Sequence, residues 1–223
     1  MEKKDILEFL NFRHACKIFD SNKSISKDDF NTILEAARVS PSSFGFEPWR
    51  FIVLESNSIK EKLLPVVWGA QNTLTTASHF VVILARKKPS LLYNSEYITH
   101  MLYDIHNIPK EKAELRRQKY KQFQESDFKL LESSRAIYDW ASKQTYIALA
   151  NMMSVAAILK IDSCAIEGFN LEECDNLLSK EVGYSQDEFK LSVMVAFGYR
   201  LNEQPKKSRQ PLSDIVEYVW KSF

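Results

Sequence analysis

Arg13, His14 and Lys17 fall within five residues near one end of the chain, and Lys206, Lys207 and Arg209 fall within four near the other. An arginine guanidinium meets a phosphate with two parallel hydrogen bonds, and a lysine ammonium adds a compact point charge. Together the clusters could hold a phosphorylated cofactor, although either one alone also reads as a solvated surface patch. The stretch Ser40-Pro41-Ser42-Ser43-Phe44-Gly45-Phe46-Glu47-Pro48-Trp49 offers a different chemistry. Its prolines restrict the backbone, Gly45 permits a positive φ, and the serines present hydroxyls and N–H groups, so the loop can line a flat ligand. An ordinary helix-to-strand connection, with Trp49 and Phe51 as core anchors, leaves the aromatic Phe44 and Phe46 unexplained. Glu167-Gly168 follows a predicted strand; without a Cβ, Gly168 lets backbone approach a ligand, and the same pair is also a common turn.

These residues need elements to place them. Asp5 can cap a first helix with Ile6, Phe9 and Leu10 on one face, ending near the first basic cluster. Ser26 and Asp29 resemble a capping box, and the apolar spacing after them predicts a helix over about 26–39. Trp49–Leu54, His79–Ala85 and Phe189–Gly198 have the β-branched and aromatic composition of interior strands. From about 134 to 160 there is almost no helix breaker, which predicts a long central helix whose Ile147, Asn151, Ser154, Val155, Ile158 and Leu159 face either the chain's own core or a dimer seam. A strand over 161–166, a short helix over 171–180 and a last helix or arm over 211–220 complete the series. The polar stretch 109–124 has few apolar anchors and is expected to be a mobile excursion. The alternation gives an α+β fold, a mixed sheet covered by helices, in a single domain spanning residues 1–223.

Composition narrows the function classes. Thirty basic against twenty-nine acidic residues give a formal charge of +1, so no global field attracts nucleic acid or an anionic membrane. No apolar run is long enough for a membrane span and the opening residues lack a signal-peptide pattern, so a cytoplasmic location is expected. Cys16, Cys164 and Cys174 lack metal spacing and read as free thiols. His79, His100 and His106 have no ligand partner at metal spacing, so no metal is expected. P-loop, G-x-G-x-x-G and G-x-S-x-G patterns are missing, which disfavours nucleotide-fold and serine-nucleophile readings.

Arg13-His14-Ala15-Cys16-Lys17, the 40–49 loop, Ala165-Ile166-Glu167-Gly168-Phe169 and Lys206-Lys207-Ser208-Arg209 occur in the order and spacing of the FMN-dependent, oxygen-insensitive NAD(P)H nitroreductase family, which the whole chain resembles. That resemblance implies an intertwined homodimer with FMN at the subunit interface. Arg13, Lys207 and Arg209 would hold the phosphate, with His14 and Ala15 alongside, and Lys17 would lie near the N1/O2 side of the ring. Pro41, Ser42 and Ser43 would come from the partner subunit, Gln71 (or Asn72) would read the pyrimidine edge, Ile166 would pack on the ring, and the N–H groups at Glu167 and Gly168 would face N5. Hydride would pass from NADH or NADPH to N5 and then, in a ping-pong cycle, to a nitroaromatic, quinone or related small-molecule acceptor between Phe44, Phe46 and Phe123. The likeness also implies departures: Ala15 replaces a serine of many relatives, and Thr73-Leu74-Thr75 stands where many carry a second lysine near the flavin. A flavin or pteridine reductase of the same fold, or a non-catalytic flavin-binding protein, remains the alternative.

Overall fold

The computed structural model describes residues 2–220. In chain order it contains α1 (Lys3–Phe12), α2 (Lys27–Arg38), β1 (Trp49–Val53), α3 (Asn57–Leu63), α4 (Thr73–Thr76), β2 (His79–Arg86), α5 (Lys88–Leu91), α6 (Glu96–His100), α7 (Lys110–Gln122), α8 (Ser134–Ile158), β3 (Asp162–Ile166), α9 (Leu171–Val182) and β4 (Phe189–Gly198). Local chemistry sets most of the helix ends. Ser26, Ser133 and Asn170 accept the N–H three residues on, at the starts of α2, α8 and α9. Asp5 is not the cap of α1: it sits one turn inside, reaching back to the Glu2 N–H at 2.8 Å, so the helix begins three residues earlier than its cap-like residue suggested.

The sheet has the strand order β1-β2-β4-β3, with each neighbouring pair antiparallel. Trp49–Val53 is therefore an edge strand rather than an interior one, because composition reports a strand's faces and not its neighbours. A single parallel bridge joins Ala15 to Ser163, and an antiparallel one joins Phe19 to Arg200. The two-residue period of β2 and β4 divides the core. Phe80, Val82, Leu84, Met194 and Ala196 pack with Leu63, Leu74 and Leu178 on one face. Val81, Ile83, Val193, Val195 and Phe197 pack on the other with Phe30 and Ile33 of α2 and Ala148, Leu149 and Met152 of α8.

A third core joins Phe46, Leu91, Ile98, Leu102, Ala113, Tyr120, Ile137 and Trp140. It anchors the stretch 109–124, expected to be a mobile excursion, because Ala113, Arg117, Tyr120 and Gln124 there are buried while the other polar residues are exposed or half-buried. Tyr120 Oη and Gln124 Nε2 both donate to the Leu91 carbonyl, at 2.9 and 2.7 Å, and the Arg117 guanidinium donates to the Tyr93 carbonyl at 2.7 Å. Arginine and glutamine counted as solvated in composition are buried here with their partners supplied. The 211–220 stretch is an exposed arm with one short 3-10 turn at Leu212–Asp214.

One ion pair ties the chain's first residues to the sheet. Asp162, 2% exposed, accepts from Arg200 Nη2 at 2.6 Å and from its Nε at 2.9 Å, while the same guanidinium donates to the Phe12 carbonyl at 2.9 Å and lies 4.1 Å over the Phe12 ring. Gly198 stands two residues before it because a Cβ there would meet Phe19 Cδ1 at 2.7 Å. Arg200→Ala would strand a buried carboxylate, and about 3 kcal/mol of stability should be lost, at the lower end for a broken buried pair because the arginine is partly exposed. Urea unfolding checks this; an unshifted midpoint would contradict the assigned role.

Candidate cofactor-binding site

The two basic clusters meet. Lys207 Nζ donates to the Leu10 carbonyl at the end of α1, where the last carbonyls lack intrahelical partners. That contact lays Gln204–Lys207 beside Asn11, His14 and Arg200, and together these residues line an open pocket of about 410 Å³. The electrostatics show the same convergence. Burial lowers the His14 pKa from its usual value, and Lys207, Arg200, Arg13 and Arg209 lower it further. Lys207 is lowered by burial and then by Arg13 and Arg209. Cations from both ends of the chain thus repel one another around one opening, a charge distribution that an anion relieves.

From the pocket the chain runs along β3. Cys16 N–H donates to the Ser163 carbonyl at 3.1 Å, which places Lys17 across the strand, with Nζ 3.4 Å from Cys164 Sγ. Burial raises the Cys164 pKa, with Lys17 and Arg13 opposing, so the neutral thiol supports the lysine without cancelling its charge. Ile166 is buried at the end of β3 and Glu167 is exposed beyond it. Gly69 N–H donates to the Gly168 carbonyl at 2.7 Å, and a Cβ on Gly168 would stand 2.7 Å from Gly69 Cα. Both glycines are needed for this approach, and Trp68, 73% exposed, lies against Gly168. Among the described residues no acceptor takes the Gly168 N–H, which leaves a donor at the turn. Tyr146 Oη donates to the Glu167 carboxylate.

The 40–49 loop is strained and clamped. Phe44, Gly45 and Glu47 have φ of 58°, 68° and 44°, a region non-glycine residues avoid. Tyr97 Oη donates to the Phe46 and Glu47 carbonyls at 2.8 and 2.9 Å, His106 Nε2 bonds the Gly45 carbonyl at 2.9 Å, and Arg116 donates to the Phe44 carbonyl at 2.5 Å. Ser43 N–H donates to Gln144 Oε1 at 2.8 Å, and Ser42 Oγ accepts the Glu47 N–H at 2.9 Å; Pro41 is exposed. These partners belong to α6, the segment after it, α7, α8 and the loop itself, and among the described residues none belongs to the basic clusters.

Two expectations change. Phe46 is fully buried and cannot wall an open acceptor pocket, while the half-buried Phe44 and Phe123 pack with Tyr120 into the third core. Gln71 directs its amide nitrogen to the Leu64 and Val67 carbonyls at 2.7 and 2.9 Å, so that nitrogen is engaged in its own turn. His79 Nδ1 bonds Ser78, His100 Nδ1 bonds Asp104 and His106 Nε2 bonds the Gly45 carbonyl, while His106 Nδ1 is buried without a partner among the described residues, where no group of three metal-ligating side chains occurs. Sequence reasoning missed Arg200, Trp68, Gly69, Gln144 and Tyr146. Nothing in the residue types of Trp68-Gly69 says that Gly168 presses on the pair.

Residues 10–199 match the model of the nitroreductase family. The chain belongs to that family. YfkO of Bacillus subtilis, provisionally named an NAD(P)H nitroreductase, is 48% identical over 217 residues, covering 97% of this chain and 98% of its own. A Staphylococcus haemolyticus relative with the same kind of name is 48% identical over 217 residues, again with 97% and 98% coverage. Among solved structures, a nitroreductase-like protein from Streptococcus mutans superposes with a TM-score of 0.80 at 19% identity, covering 98% of this chain and 100% of its own. A nitroreductase from Exiguobacterium sibiricum, also provisionally named and solved in complex with FMN, gives 0.77 at 21% identity, with 98% and 99% coverage. At these identities the solved structures establish the nitroreductase fold. In this nitroreductase-family chain, Gly168→Ala should cost about 1–3 kcal/mol by overpacking against Gly69. Thermal unfolding tests it, and an unaltered melting temperature would mean the two turns do not meet.

Proposed function

We propose that this nitroreductase-family chain is an FMN-dependent oxidoreductase that takes hydride from NADH or NADPH and delivers it to a nitroaromatic, quinone or related acceptor. The opening lined by His14, Arg200, Lys206 and Lys207, with Arg13 and Arg209 near enough to lower the His14 and Lys207 pKa, carries the reading. The donor set suits the cofactor: guanidinium and ammonium groups for a phosphate, then Lys17 and a free backbone N–H farther along β3 for the polar edge of a ring. When bound, FMN supplies a ring that accepts hydride from one substrate and returns it to another. The chain's own contribution is placement and charge. Arg13, Lys207 and Arg209 would hold the phosphate, with His14 and the Ala15 backbone beside them. Lys17 would set a positive charge against the N1/O2 edge, where electrostatic preorganisation acts without reorganisation. Ile166 would support the ring and the Gly168 N–H would donate toward N5. Trp68, the exposed aromatic at the turn, takes the part of acceptor wall that buried Phe46 cannot.

A homodimer completes the site in this reading. Ile6, Leu7 and Leu10 of α1, Ile147 and Ile158 of α8, and Leu212, Ile215, Val216, Tyr218, Val219 and Trp220 of the arm are exposed apolar side chains that a second copy would cover. Burying them against a second copy would bring Pro41, Ser42 and Ser43 to the partner's cofactor. Were one face of the bound ring left open to donor and acceptor in turn, the kinetics would be ping-pong. The formal net charge of +1 gives no global field for nucleic acid and fits a small-molecule partner.

Anaerobic stopped-flow mixing of the FMN-loaded protein with NADH and with NADPH tests the reading. Bleaching of the flavin absorbance by either donor, reversed by a nitroaromatic or quinone, is expected. A yellow protein that neither donor bleaches would be a flavin-binding protein instead, and a colourless one would end the proposal. Arg209→Ala should weaken FMN binding by about 1.5–3 kcal/mol, one charge-assisted contact, or roughly tenfold to a hundredfold in Kd. Fluorescence titration of FMN measures it, and unchanged affinity would remove Arg209 from the phosphate site.

A further inference from the structure

Helix α8 bonds two irregular segments, the 40–49 loop and the Glu167-Gly168 turn, through polar side chains two residues apart. Gln144 accepts the Ser43 N–H, and Tyr146 donates its hydroxyl to the Glu167 carboxylate. The Tyr146 contact has no evident purpose in folding. Both residues are solvent-accessible, Tyr146 being 38% exposed, and an exposed polar contact of this kind contributes little to stability. It does act on the one residue that joins buried Ile166 to the Gly168 turn. The Glu167 carbonyl is already held by the Phe169 N–H at 2.8 Å, and the Gly168 carbonyl by Gly69. With the Glu167 side chain also held, the turn is restrained at two carbonyls and one carboxylate, and its free donor is the Gly168 N–H.

The geometry points to Tyr146 as a positioning residue that, through Glu167, aims the Gly168 N–H at the flavin N5. This rests on the FMN reading above. Burial first, and then Glu167, raise the Tyr146 pKa far above its ordinary value, so the hydroxyl remains a donor across the working range. Oxidised flavin carries a lone pair on N5 and accepts a hydrogen bond, whereas reduced flavin carries a hydrogen there and does not. An N–H aimed at N5 therefore favours the oxidised cofactor selectively, and Tyr146 acts on the flavin's redox equilibrium without touching it.

The test compares wild type, Tyr146→Phe, Glu167→Ala and Glu167→Gln. In the FMN-free protein, amide exchange of the 164–170 segment should accelerate about fivefold in Tyr146→Phe and Glu167→Ala, the loss of about one hydrogen bond, and stay near wild type in Glu167→Gln, which keeps an acceptor oxygen. In the loaded protein, Tyr146→Phe should weaken oxidised FMN by about fivefold and leave reduced FMN unchanged, which appears as a raised reduction potential. Equal weakening of both forms would assign Tyr146 a purely structural role and overturn the inference, as would wild-type exchange and affinity in Tyr146→Phe. Should Tyr146→Phe fold poorly, Glu167→Ala carries the same prediction from an exposed position. A wild-type protein that binds no FMN would defeat the functional reading and this inference with it, whereas normal wild-type binding with an indifferent Tyr146→Phe would defeat the inference alone.

Discussion

The Arg200 guanidinium, gripping Asp162 at the start of β3 and the Phe12 carbonyl at the end of α1, is the contact on which the site depends. It fixes the N-terminal segment against the strand, so that Ala15 bridges Ser163, Lys17 crosses to Cys164 and Phe19 seats against Gly198. The same side chain forms a wall of the basic pocket. A carboxylate this deeply buried requires its partner, because an unpaired charge in the interior costs several kcal/mol. Stability and the shape of the basic pocket thus share one ion pair, and the cationic groups around His14 are held together in spite of their own repulsion.

Helix α8 organises the opposite side. Its apolar face packs on the sheet and on α2, while Gln144, Tyr146 and Asn151 reach the 40–49 loop, the Glu-Gly turn and Ser40. A rigid helix of 25 residues is well suited to setting two irregular segments at a constant separation, since irregular backbone has no ladder of its own to hold it. The left-handed residues of the loop remain ordered for the same reason: every carbonyl from Phe44 to Glu47 is taken by a side chain from another element.

Aromatic residues divided differently from what their positions suggested. Phe44, Phe46 and Phe123 stand at places where a ligand-lining role was reasonable, yet they fill the third core with Tyr120 and Trp140. Trp68, which attracted no role by type, is the exposed ring at the turn. Aromatic side chains serve interior and binding surface alike, so residue type could not separate the two uses.

Elements with strong local signals were legible in the chain itself. The Ser26 cap, the breaker-free run after Ser133 and the β-branched character of 79–86 and 189–198 each rest on interactions spanning a few residues, and α2, α8, β2 and β4 followed them closely. The charges of the two basic clusters and the conformational freedom of Gly45 were likewise legible in residue type. Tertiary structure decided what depends on distant partners: β1 at the sheet edge, Arg117 and Gln124 buried in a segment that composition marked as solvated, Phe46 withdrawn from the pocket, and Gly69 pressed onto Gly168. Charge and hydrogen-bonding capacity belong to a residue, but whether water or another side chain satisfies them is settled only when residues far apart in the chain are packed together.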